Sequence, residues 1–199
     1  DGEYTISGVL VGDLSLKRYF TYTGKLTTID RHGSTEEIPN STLNADLTLN
    51  EWAQARLQDK ADFYYLQDES CRVLELYLAE EGVGLAETWP TGNGRVLKVE
   101  FFVEWATDVT QGIPAGTYKV VARDEESKGI LREFLKPGGI ASGYPNVFTY
   151  PAGTWYEKIS NGTMKEYARI DAGTMTVVRD GDKHTLTIDF IAVSYTHLR

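Results

Sequence analysis

The chain has 199 residues, of which 41% are hydrophobic and 25% charged, and its formal net charge is −9. This composition is typical of a globular protein and excludes a disordered chain. The acidic balance argues against nucleic acid as a partner, because an acidic surface repels phosphate groups. No apolar stretch reaches the roughly 20 residues that a membrane helix needs.

The first segment with a clear pattern, residues 47–57, fits either a helix or a strand. Asn50 can cap a helix. The apolar residues of the segment, however, share one parity, as those of a strand do. Because the neighbouring segments have strand patterns, we favour the strand. A short helix is also predicted at residues 125–135, where apolar residues have helical spacing.

Apolar and polar residues alternate most regularly at residues 97–105. Such a strand buries one face and exposes the other. We therefore expect Lys98 and Glu100 to be exposed, and the following residues to lie in the core: Leu97, Val99, Phe101 and Val103. The same alternation recurs at residues 74–78, 118–120, 175–177 and 185–190.

Short turns separate these strands. Residues 91–94, 160–163 and 179–182 contain Asn-Gly or Asp-Gly pairs, which favour tight hairpins. The unit Pro-Ala-Gly-Thr followed by an aromatic residue occurs twice, at 114–118 and at 151–155. We predict an all-β fold, an antiparallel β-sandwich or barrel built from repeated hairpins, with at most one or two short helices. We expect residues 1–192 to form one domain, or two similar modules of about 1–60 and 61–192.

Several motifs carry a family resemblance. Three features resemble the C-terminal half of surface lipoproteins of the Bacteroides type. They are the two Pro-Ala-Gly-Thr-aromatic units, the run Gly-Thr-Met-Thr-Val-Val at 173–178 and the run Thr-Leu-Thr-Ile-Asp-Phe at 185–190. The resemblance covers residues 61–190. It implies an all-β fold, export to the cell surface or periplasm and lipid anchoring at an N-terminal Cys that this chain lacks. It implies no activity.

The two ends of the chain carry expectations of their own. The chain begins at Asp1 rather than Met, so we expect that a targeting segment has been removed. Residues 193–199 resemble the translation of a transposase sequencing adaptor, which predicts a non-native tail. The strand at 185–191 should then pair with residues 173–178 and leave its other edge open.

No catalytic residue, cofactor or metal site is predicted. The three histidines, His32, His184 and His197, lack the spacing of zinc ligands. Cys71 is the sole cysteine, which excludes an internal disulfide and a thiolate metal site. We expect Cys71 to pack at the end of a strand. The chain has no nucleophile elbow, phosphate-binding loop or dinucleotide fingerprint.

Aromatic residues beside Gly and Pro give the strongest indication of binding. Rings in such turns stack on a sugar or an apolar ligand. We therefore predict a non-enzymatic binding module for a glycan or a small apolar ligand, located outside the cytoplasm, with Trp89, Trp155 and Tyr156 as its ligand-binding residues.

Two alternatives stay open. One is a glycoside hydrolase that uses carboxylates such as Glu104 and Asp108. The other is a structural domain of an envelope assembly. In each case we expect no nucleic-acid partner, and we expect contact with a membrane only through the lipid anchor.

Overall fold

The computed structural model describes residues 3–11, 17–25, 41–49, 52–61, 71–85, 89–121, 136–144, 152–193 and 197–198. The chain divides into two compact units, Asp1–Glu37 and Ile38–Arg199. The first unit contains an antiparallel hairpin of β1 (Glu3–Val11) and β2 (Lys17–Lys25).

The described part of the second unit is built almost entirely from strands, which range from 2 to 18 residues in length. Its only described helical element is a 3₁₀ turn at Val109–Gln111. None of the described residues forms a helix with the length and apolarity needed to cross a membrane. The strands are β3 (Gln54–Ala61), β4 (Arg72–Ala79), β5 (Val83–Gly84), β6 (Thr91–Gly92), β7 (Gly94–Val103), β8 (Gly116–Val121), β9 (Gly139–Ala141), β10 (Trp155–Ser160), β11 (Thr163–Asp180), β12 (Lys183–Ala192) and β13 (His197–Leu198).

Five of these strands close a barrel in the order β7, β9, β8, β11 and β10. Closure depends on two long strands. β11 pairs with β10 through its first half and with β8 further along, and β7 pairs with β10 and then with β9. The predicted all-β fold is confirmed as a barrel. The barrel is mixed, because β8 and β9 run parallel while the other pairs are antiparallel.

Further strands are bonded outside the barrel. β4 pairs with β7 and β3 pairs with β4, while β12 pairs with β11 and β13 with β12. The described residues 41–49 and 52–53, which we call the segment 41–53, bond to both extensions and to β11. The amides of this segment at Thr42, Leu47 and Ala53 donate to the carbonyls of Tyr167, His197 and Ala79 over 2.8 to 2.9 Å.

The main core lies on one face of β4 and β7. Leu97, Val99, Phe101 and Val103 are buried there, as predicted. The rings of Phe101 and Tyr118 meet edge to face, with centroids 5.1 Å apart. Such contacts add to the stabilisation that comes from burial alone.

The expected exposure of Lys98 and Glu100 is wrong. Lys98 is 4% exposed and Glu100 2% exposed. The reason is that the opposite face of β4 and β7 is covered as well, and two smaller apolar clusters flank it. These clusters are Tyr77, Ala79, Val83, Leu85, Val96 and Ile159, and Cys71, Val73, Phe102 and Ala141. The alternation therefore separates the apolar face from the polar face correctly, but it does not show that the polar face is buried as well.

The local predictions have three outcomes. Residues 54–57 belong to β3, which confirms the strand, whereas 50–51 lie outside the described residues. The helix predicted at 125–135 lies wholly outside the described residues. Cys71 is buried directly before β4, as expected.

The predicted pairing of β12 with β11 is confirmed, with Val178 opposite Thr185 and Asp180 opposite Lys183. The outer edge of β12 is less open than predicted. β13 pairs with it at Phe190 and Ile191, and Leu198 is fully buried. The non-native origin of residues 193–199 stays a prediction.

Candidate functional site

The three predicted ligand-binding residues occupy different environments. Trp155 and Tyr156 are buried neighbours on β10, and Tyr156 belongs to the main core. The indole N–H of Trp155 donates to the carbonyl of Ala152 at 2.8 Å, and the hydroxyl of Tyr156 donates to Glu166 at 2.7 Å. A stacking platform needs its rings at the surface. Of the three, Trp89 alone meets this condition, with 49% of the residue exposed.

The carboxylates of the hydrolase alternative are both exposed. Asp108 caps the 3₁₀ turn, because its Oδ1 accepts hydrogen bonds from the amide and hydroxyl of Thr110 at 3.1 and 2.6 Å. These bonds lower the pKa of Asp108. Glu104 lies at a pocket of about 170 Å³ and is the one carboxylate among its described lining residues. The hydrolase alternative stays a prediction.

A network of buried charges lies on the second face of β4 and β7. We call this the charged face, and it consists of Glu75, Lys98 and Glu100. Glu75 and Glu100 are directly opposite each other across the two strands, an arrangement that repels when both are ionised. The Nζ of Lys98 lies between them, 3.2 Å from Glu75 and 3.7 Å from Glu100.

Further contacts are made to the charged face, while the buried Oε1 of Glu100 has no hydrogen-bond partner among the described residues. The Nζ of Lys60 lies 3.4 Å from Glu75. The amide of Gly153 donates to Oε2 of Glu100 at 3.1 Å, and the amide of Glu100 donates to the Thr154 hydroxyl at 3.2 Å. Buried charges are tolerated when they are paired and hydrogen-bonded in this way. Burial and the nearby Glu75 also raise the pKa of Tyr77 above its usual range.

The charged face is suited to holding the strands together rather than to binding. Lys98 and the neighbouring Lys60 lie against its carboxylates, and its three members are almost wholly buried. Among the described residues, no group of three or more His, Cys, Asp or Glu side chains is arranged to hold a metal ion.

A groove of about 680 Å³ opens between β12 and the segment 41–53. We call it the apolar groove, and its lining residues are Leu49, Trp52, Leu78, Leu186, Thr187, Ile188 and Asp189. Its volume falls within the range of small-molecule sites, which is about 300 to 1,000 Å³. Five of its seven residues are apolar, so the groove is a solvent-accessible edge of the hydrophobic core.

Local structure explains how the groove forms. Leu186 and Ile188 alternate on β12 and pack against the main core together with Leu49 and Trp52. Leu78 contributes to the lining of the groove from β4. At one end, Asp189 Oδ1 lies 3.8 Å from the imidazole Nδ1 of His197.

The sequence alone does not predict this groove. The alternation of Leu186 and Ile188 was visible, but an alternating strand is normally closed by a partner layer. Trp52 lies in the segment whose pattern fits both a helix and a strand, although the strand is favoured. Its proximity to Leu186 depends on contacts between residues that are more than 100 positions apart.

Comparison of the chain with protein-family models, with curated proteins and with solved structures finds no match. The candidate site therefore rests on the geometry described above.

Proposed function

We propose that the second unit is a non-enzymatic binding module whose site is the apolar groove. The observation that best supports this function is a ligand-sized, mainly apolar opening that is continuous with the main core. Each 100 Å² of apolar surface that a ligand buries there would contribute about 2.5 kcal/mol. A location outside the cytoplasm stays a prediction.

The lining favours an apolar ligand over a glycan. Sugar hydroxyls lose their bonds to water on binding and need polar partners in return. The apolar groove offers the side chains of Thr187 and Asp189 and otherwise hydrocarbon and one indole ring. A glycan would be better suited to the exposed Trp89.

A hydrophobic fluorescent dye, anilinonaphthalene sulfonate, tests the site. Leu186→Trp should fill the groove and abolish most of the dye's fluorescence increase. Val178→Trp is the matched control, because Val178 lies on the neighbouring strand and is 59% exposed. Circular dichroism and the melting temperature verify that both variants fold. Undiminished dye binding by Leu186→Trp would contradict the proposal.

A second experiment distinguishes the groove from the predicted Trp89 site. A brominated alkane quenches tryptophan emission on contact, so bound 1-bromooctane should quench Trp52. Trp52→Phe should remove the quenching, whereas Trp89→Phe should retain it. The reverse pattern would place the ligand at Trp89.

A further inference from the structure

One wall of the apolar groove is the outer edge of a β-strand. Leu186 to Asp189 belong to β12, whose inner edge pairs with β11. On the outer edge, β13 pairs with Phe190 and Ile191 only. Among the described residues, no strand pairs with the outer edge at 184–188. An unpaired strand edge is a template for the addition of another strand.

Side chains along the outer edge of β12 alternate between the groove and solvent. Leu186 and Ile188 direct their side chains towards the core, while Thr187 and Asp189 are exposed. A strand added at this edge would alternate in the same way, with every second side chain inserted into the groove. The four residues from Leu186 to Asp189 span about 14 Å, which is room for two inserted side chains.

We propose that the occupant of the apolar groove is an extended peptide that pairs antiparallel with β12. Its apolar residues, at alternate positions, enter the groove, and a basic residue lies beside Asp189. β13 already makes the same antiparallel pairing at the adjacent residues. The proposal deepens the function proposed above and rests on it.

Two observations favour a peptide over other occupants. A purely hydrocarbon ligand would remove water from the main-chain groups of the edge without replacing the lost hydrogen bonds. A second copy of the chain would bring together two molecules that each carry a net charge of −9, which repel one another. A neutral or basic peptide satisfies the edge and complements both Asp189 and the net charge.

The test uses the pentapeptide Lys-Val-Thr-Val-Lys, which presents two valines on one face, and two derivatives with N-methyl groups on alternate amides. In a strand, alternate residues direct their amides to opposite sides. One derivative therefore loses the donors that face β12, and the other loses only those that face away. We expect isothermal titration to show binding of the parent peptide, about tenfold weaker binding of one derivative and unchanged binding of the other.

A charge variant supplies an independent readout. Asp189→Asn should lower the affinity for the parent peptide about threefold. Asp180→Asn, the same change at an exposed site on β11, should leave the affinity unchanged.

Each other outcome overturns the inference. If both methylated peptides bind like the parent, main-chain pairing is absent. If the dye binds but no peptide does, the groove takes small apolar ligands, and the proposed function survives without the inference. If neither binds, both fail. A last outcome combines three results: the peptide does not bind, sedimentation shows a dimer, and the substitution Thr187→Pro makes that dimer dissociate. The occupant of the groove is then a second copy of the chain.

Discussion

The two faces of β4 and β7 are both buried, yet they are filled by different chemistry. One face carries Leu74, Val99 and Phe101 in the main core. The other is the charged face of Glu75, Lys98 and Glu100. On the apolar face, stability depends on filled volume. On the charged face it depends on whether every charge keeps its partners.

The largest expected effect is on the apolar face. Phe101→Ala leaves a cavity and removes the edge-to-face contact with Tyr118, so we expect a loss of about 4 kcal/mol in the free energy of unfolding. Urea denaturation measures it. Val178→Ala, at an exposed position, should cost less than about 0.5 kcal/mol. Equal costs for the two variants would show that Phe101 is not in the core.

A slightly smaller loss is expected on the charged face. Lys98→Met leaves Glu75 and Glu100 opposite each other without the cation between them. We expect a cost of about 3 kcal/mol at pH 7. Lys158→Met, at an exposed position on β10, is the control.

A rescue variant identifies the cause of that loss. Combining Lys98→Met with Glu75→Gln and Glu100→Gln removes the like charges, and it should recover much of the stability. If Lys98→Met alone costs no more than Lys158→Met, the charged face does not depend on its central cation.

Hydrogen bonding on the charged face should contribute less. Thr154→Val keeps the shape of the side chain but removes the acceptor for the amide of Glu100. We expect a loss of about 1 to 2 kcal/mol, since a buried donor is left without a partner. Thr185→Val, an exposed threonine on β12, should be nearly neutral. Identical melting temperatures for the two variants would contradict the expectation.

The smallest effect is expected at Tyr118, which packs against the apolar face from β8. Tyr118→Phe removes the hydroxyl that donates to the carbonyl of Pro114 at 2.9 Å, at a cost of about 1 kcal/mol near pH 8.

Tyr118 also gives the stability of the main core a pH dependence. Burial raises the pKa of Tyr118 from 10.0 to about 12, so the folded state holds this proton more tightly than the unfolded state. The stability that comes from this tighter proton binding is fully present below pH 10 and is lost as the pH rises towards 12. Tyr118→Phe should show a shallower loss than the wild type in urea titrations over this range. Parallel curves would exclude a contribution from Tyr118.

Features set by neighbouring residues could be predicted from the sequence. The Asp-Gly pair at 180–181 predicts the hairpin of β11 and β12, because a tight turn forces antiparallel pairing. The alternation at 97–105 separates apolar from polar side chains correctly. The burial of Lys98 was not predictable, since it depends on what packs over the polar face. The parallel pairing of β8 with β9 and the apolar groove likewise depend on distant segments.

The bridges made by the segment 41–53 have a kinetic consequence. Ser41 pairs with Ala168 and Leu47 with Leu198, at separations of 127 and 151 residues. Such contacts hold the chain only after a long loop has closed, so the entropy of closure is lost before the contacts form. We expect folding in milliseconds to seconds rather than microseconds, with this segment joining late. Stopped-flow fluorescence of Trp52 would follow that step.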